Sequence, residues 1–241
     1  MTRAVPIWAT VVAATVGSVL PSVVTLLYFV ALWDYPASVQ QPAVAVAKLV
    51  QFGFPVAWVL LAERRRPRWP ERWWIGIGEG VGFGAIVLAG SLVLYHVWLG
   101  PAGIFDGPSQ AMGEKLTGLG IETLGQYIVF ALFVSTLHAL LEEYYYRWFV
   151  FGQMRRVMPL LPAVLLASVA FMAHHVIVLA MYFGWASPWT WVFSLAVAVG
   201  GAYWAWLYER TGSLAGPWLS HILADVAIFT VGYELLASTL R

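Results

Sequence analysis

The chain has 241 residues, of which 61% are apolar and only 10% charged, and its mean hydropathy is +0.77. A soluble domain carries about 25% charged residues, so too few charges are present to cover a water-facing surface of this size, and lipid is the matching solvent. There is no cysteine, which excludes disulfides and thiolate metal sites. The formal net charge of +1 is made of local clusters and does not point to nucleic acid.

A membrane-spanning helix needs roughly 20 predominantly apolar residues. In chain order, such segments are expected at about 6–32, 42–62, 74–98, 122–152, 160–183, 188–208 and 214–237. The first is too long for a signal-peptide core and reads as a retained helix or signal anchor. The expectation is an all-α, polytopic bundle of about seven spans. It forms one integral membrane domain over 1–241, with a catalytic core at about 122–237.

Lys and Arg in short loops set orientation. Arg64, Arg65, Arg66, Arg68 and Arg72 crowd the second loop, Arg155 and Arg156 follow the fourth span, and Arg210 follows the sixth. Arg3 precedes the first span. The intervening loops hold Asp34, Asp106 and Glu114, with Lys115 alone positive. Seven spans put every basic loop on one side, which places the N-terminus in the cytoplasm and the C-terminus, despite Arg241, outside. The expected location is the cell membrane of a bacterium or archaeon.

The third span opens with Gly76, Gly78, Gly80, Gly82 and Gly84. No strand precedes these glycines and they do not spell a dinucleotide fingerprint. Small residues four apart instead let helices approach closely in lipid. Lys48 and Glu79 are read as lying near helix ends, where their charges snorkel to the interface.

Ionisable groups inside spanning helices are costly, and each is a functional hypothesis by default. They concentrate in the later helices. The fourth span carries His138, Glu142, Glu143 and Arg147, the fifth His174 and His175, and the seventh His221 and Asp225. On a helix, His138, Glu142 and Tyr146 form one stripe, while Glu143 and Arg147 form a neighbouring stripe and can pair. That pairing leaves Glu142 without a local cation. Two adjacent histidines point in different directions, so one of His174 and His175 is expected to face the bundle and the other a neighbouring helix. His221 and Asp225 share a face, as a metal-ligand pair or as an imidazole oriented by a carboxylate. At about 1.5 Å rise per residue, the three clusters fall at overlapping depths toward mid-membrane.

These residues resemble the CAAX prenyl endopeptidase and bacteriocin-processing (CPBP, or ABI) family of intramembrane proteases. Glu142 to Arg147 matches its E-E-x-x-x-R motif, Phe171 to His175 its F-x-x-x-H motif, and His221 to Asp225 its H-x-x-x-N/D motif. Order and spacing agree over about the last 120 residues, whereas the first three helices match only in being hydrophobic. The resemblance implies hydrolysis of a peptide bond in a membrane-associated protein or peptide. Glu142 would act as general base, with His175, His221 and Asp225 holding water or a metal such as zinc, and with His174, Glu143, Arg147 and His138 as secondary candidates. The family includes both metalloproteases and metal-independent glutamate proteases. Two other readings stand beside it. One is a non-catalytic relative acting as an immunity or scaffold protein. The other is a proton-coupled transporter, which calls for broken helices and inverted repeats that this sequence does not display.

Overall fold

A computed structural model describes residues 5–66, 70–237 and 240. Arg3, Arg68 and Arg241, which entered the charge argument, lie outside the described residues. Eight helices and no strand occur among the described residues: α1 (Ile7–Ala31), α2 (Ala37–Ala62), α3 (Ile77–Leu99), α4 (Asp106–Gly118), α5 (Leu124–Arg155), α6 (Leu160–Phe183), α7 (Pro188–Thr211) and α8 (Ala215–Leu236). All but α4 are long and apolar enough to cross a membrane. The seven expected spans are therefore present, and the protein is an all-α, multi-pass membrane protein.

Two differences from the expected layout have local causes. The polar stretch between the third and fourth spans, read as a loop, contains α4, whose Asp106 stands in its first turn and Lys115 in its last, as the helix dipole favours. The second span begins at Ala37 rather than near Pro42. Pro36 precedes it, and the Gln40 side-chain amide donates to the carbonyls of Trp33 (3.0 Å) and Tyr35 (2.6 Å), securing the turn that leads in. Pro42 is thus inside the helix, past its first turn, where the missing N–H forgoes one i→i−4 hydrogen bond.

Several spans are not uniformly α-helical. Wider π turns occur at Leu27–Ala31, Trp58–Ala62, Tyr95–Leu99, Phe133–His138 and Tyr144–Phe151. The first two follow internal prolines, Pro21 and Pro55. The last two flank the α-helical turns that hold Glu142 and Glu143. Such bulges keep the backbone bonded internally, as lipid requires, while re-aiming side chains. α5 starts from a capping box: Thr123 Oγ1 accepts from the Gln126 amide (3.3 Å), and Gln126 Oε1 accepts from the Thr123 amide (3.0 Å).

Contacts group the chain into two compact units, and α5 contributes to both. The first comprises residues up to Trp73 together with Leu141–Leu214, and so holds α1, α2, the second half of α5, α6 and α7. Here Tyr145 donates to the Gly17 carbonyl at 2.8 Å, and a Cβ on Gly17 would meet Phe149 and Val150 at 3.1 Å, so α1 lies directly on α5. The helix ends are tied in one polar layer. Glu63, just past α2, is almost fully buried and accepts from Gln153 (2.6 Å), Arg156 (2.8 and 3.1 Å) and Arg65. Arg155 pairs with Glu209 of α7 at 2.7 Å. The ends of α2, α5 and α7, which carry basic residues, therefore lie on the same face of this unit. Burial works to raise the Glu63 pKa, but the hydrogen bonds from Arg156, Gln153 and Arg65 outweigh it and hold the carboxyl below its ordinary value.

The second unit comprises Trp74–Leu140 with the residues from Ala215 onward. The glycine run works here as a packing surface. A Cβ on Gly80 would overlap the Gly216 carbonyl, and one on Gly84 would lie 2.9 Å from Ser220 Cα. Gly78 and Gly82, on the other side of α3, face open space. The half of α5 in this unit is fastened to α8 by Tyr127 donating to the Phe229 carbonyl (2.7 Å) and the Trp218 indole donating to the Thr136 carbonyl (2.8 Å).

Candidate active site

Glu142 lies near the middle of α5 and is 5% exposed. Its Oε1 is 3.3 Å from His174 Nε2. On the other side of that ring, the Tyr146 hydroxyl lies 2.8 Å from Nδ1. Glu142 and Tyr146 thus share the face of α5 that looks at α6, as their four-residue spacing implies. Tyr146, Phe171 and Tyr145 are all buried, so the row Tyr146–His174–Glu142 runs through an aromatic surround.

His175 belongs to the same cluster. Glu142, His174 and His175 each offer one ligand atom, and these atoms lie within 4.8 Å of one another. The expectation that only one histidine would face this region is corrected. The Cα–Cβ bonds do diverge, but the long imidazoles swing back toward each other until their ring centres are 4.1 Å apart. His175 is held by Nδ1, 2.9 Å from the Phe171 carbonyl one turn earlier.

Phe171 therefore does more than mark a motif. Its ring packs edge-on against Tyr146 (4.9 Å) and His175 (4.7 Å), and the Arg147 guanidinium lies over it at 4.5 Å. Arg147 is 2% exposed, and its Nε is 3.1 Å from Glu143 Oε2. The pairing expected from the i,i+4 spacing is present. Trp204 flanks the same guanidinium at 5.0 Å. On α7, Gly201 leaves room for it: a Cβ there would meet Arg147 Nη2 at 3.4 Å and Phe171 at 3.2 Å. Nothing in the sequence marks Gly201 and Trp204 apart from other small and aromatic residues.

His221 and Asp225 belong to the second unit, where they form their own pair on α8. His221 Nε2 is 3.8 Å from Asp225 Oδ1, with the histidine buried and the aspartate half-buried. His138 is also in that unit, half-buried at the end of a π turn.

The first cluster could hold a metal ion. Two imidazoles and a carboxylate are a known zinc set. An imidazole that gives its other nitrogen to a carbonyl, as His175 does, presents Nε2 as a ligand. His174 can serve in either of two tautomers. With the Tyr146 hydroxyl donating to Nδ1, Nε2–H points at Glu142. With Nδ1–H donating to Tyr146, Nε2 is a free lone pair.

Lys48 is a residue whose place was misread. With α2 running from Ala37 to Ala62, it is central in the span rather than near an end. Starting the helix at Pro42 had made it look terminal.

No curated protein and no solved structure matches the chain. The sequence model of the family described as "Type II CAAX prenyl endopeptidase Rce1-like" matches residues 124–227. That segment contains Glu142, Arg147, Phe171, His174, His175, His221 and Asp225, and it is the segment whose three motifs carry the CPBP resemblance. Over residues 124–227, this multi-pass membrane protein is similar to the type II CAAX prenyl endopeptidases of the Rce1-like family.

Proposed function

We propose that the protein is an intramembrane endopeptidase that hydrolyses a peptide bond of a membrane-associated protein or peptide, with Glu142 as general base. The observation that carries this reading is the Glu142–His174–His175 cluster at the middle of the spans, with Glu142 and His174 buried and His175 half-buried. A carboxylate at that depth, beside imidazoles and away from bulk water, is what activation of a single water requires.

In this reading one water sits against the Glu142 carboxylate, beside the two imidazoles. As its oxygen adds to the scissile carbonyl carbon, Glu142 takes its proton and the carbonyl oxygen becomes an oxyanion. The C–N bond then breaks, and the proton held by Glu142 passes to the departing amine nitrogen. His174, oriented by Tyr146, and His175, oriented by the Phe171 carbonyl, hold the water by their Nε2 atoms. The motif resemblance gives His221 and Asp225 a share in holding the water or a metal. A zinc ion held by Glu142, His174 and His175 would, when bound, lower the pKa of a bound water toward ~7. Glu143 and Arg147 serve the fold by keeping α5 against α6 and α7.

The test is cleavage of a membrane-tethered reporter peptide by purified protein in detergent, with and without a chelator. Glu142→Gln keeps shape and hydrogen bonding but removes the base, and it should abolish cleavage while the protein elutes and melts as wild type. His221→Ala should do the same. Full activity in folded Glu142→Gln refutes the reading.

A further inference from the structure

A lysine in the centre of a spanning helix is unusual enough to require a reason. Lys48 is on α2, a helix outside the family match and without any motif. Measured along the helices at ~1.5 Å per residue, it lies about 21 Å from the Ala62 end of α2. Glu142 lies about 20 Å from the Arg155 end of α5, and His174 about 21 Å from the Leu160 end of α6. Glu63 and Arg156 tie the ends of α2 and α5 together, so these lengths are measured from one face of the unit. Lys48 is therefore at the level of the Glu142–His174–His175 cluster.

Its direction follows from its neighbours. Lys48 Nζ stands over the Phe52 ring at 5.4 Å, one turn further along α2. The Phe52 carbonyl accepts from the Tyr144 hydroxyl (3.3 Å), and the Phe52 ring meets Tyr145 edge-on at 6.1 Å. Tyr144 and Tyr145 directly follow Glu142 and Glu143, so the face of α2 that carries Lys48 and Phe52 is the face turned to α5. That face, at the depth of Glu142, sets the Lys48 ammonium on the side of α2 that looks toward the Glu142 turn of α5. The other nearby cation, Arg147, is ion-paired with Glu143 and enclosed by Phe171 and Trp204.

We propose that Lys48 is the counter-ion of Glu142 and a positioning residue of the hydrolytic site, so that each of the two adjacent carboxylates on α5 has its own cation. The catalytic part of this rests on the peptidase reading, while the pairing itself does not. A fixed ammonium on the α2 side balances Glu142 without occupying the imidazole side, which stays available to water and the peptide. It also offsets the negative charge that gathers near Glu142 as the carbonyl oxygen becomes an oxyanion.

The experiment is a double-mutant cycle read by thermal unfolding in detergent, using wild type, Lys48→Met, Glu142→Gln and the double variant. Lys48→Met should lower Tm by about 4 °C or more in the wild-type background, and by less than half as much when Glu142 is already Gln. Equal losses in both backgrounds overturn the pairing. If Lys48→Met alone yields no folded protein, its recovery in the double variant supports the pairing, and failure to recover overturns it. In the cleavage assay, folded Lys48→Met should lose about tenfold or more in kcat with KM little changed, and Lys48→Arg should regain most of that loss. Wild-type kcat in folded Lys48→Met overturns the positioning role. If the wild-type protein cleaves nothing, the peptidase reading falls instead, and the thermal cycle still decides whether Lys48 and Glu142 are partners.

Discussion

Glu143 and Arg147 meet at 3.1 Å in a place where neither has access to solvent, with aromatic rings closing the space around the guanidinium. Removing one partner leaves the other as a buried uncompensated charge, which costs about 3–5 kcal/mol. Glu143→Gln and Arg147→Ala should each lower yield and thermal stability markedly. Arg147→Lys should rescue little, because a point charge cannot cover Phe171 and reach Glu143 at once. Wild-type melting of either single variant would show that the pair does not support the fold.

The two α6 histidines should both matter, because both imidazoles lie beside Glu142. His174→Ala and His175→Ala are each expected to reduce cleavage by about 100-fold, within the range for positioned acid–base groups. Tyr146→Phe keeps the ring and removes only the hydroxyl that orients the His174 imidazole, so a loss nearer tenfold is expected. A fully active His174→Ala protein would remove that residue, and with it Tyr146, from the mechanism.

Glu63 predicts a pH dependence that is separate from activity. Its folded-state pKa is depressed, so its contribution to stability is complete above the unfolded value of about 4.3 and fades as pH falls through the lower folded value. Wild-type Tm should therefore drop on acidification below pH ~4.3. Glu63→Gln should start from a lower Tm at neutral pH and show a smaller part of that drop. Parallel Tm–pH curves for the two proteins would contradict the assignment.

Topology can be read directly because the chain has no cysteine. A cysteine at Arg66, in the basic turn after α2, should resist an impermeant maleimide in intact cells and react after permeabilisation. One at exposed Gly107 on α4 should react without permeabilisation. The reverse pattern would invert the orientation.

The spans were legible because hydropathy and length constrain a helix in lipid more tightly than propensity does in water. The Glu143–Arg147 pair was legible for a similar reason, since an i,i+4 spacing is a distance. His174 and His175 were harder. Backbone geometry separates their Cβ directions, and only the rotamers, set by Tyr146 and the Phe171 carbonyl, bring the rings together again. Lys48 was missed through a boundary: moving a helix start by five residues changes a terminal lysine, free to reach the interface, into a central one that cannot. Gly201 and Trp204 accommodate a guanidinium that arrives from another helix, and local sequence records nothing of that.

The glycines of α3 have a consequence for how α8 is held. Gly80 meets the Gly216 backbone and Gly84 the Ser220 backbone and the Leu223 side chain, so little side-chain freedom is surrendered when the two helices join. In lipid, burial of apolar surface contributes little to such a union, and dispersion between closely packed atoms must supply it. An attraction of that kind is short in range and fades within an ångström of separation. The seam therefore behaves less like an adhesive patch than like a key in a slot. A single methyl at position 84 would act as a wedge, and the nearest place to register the displacement is the turn of α8 that presents His221.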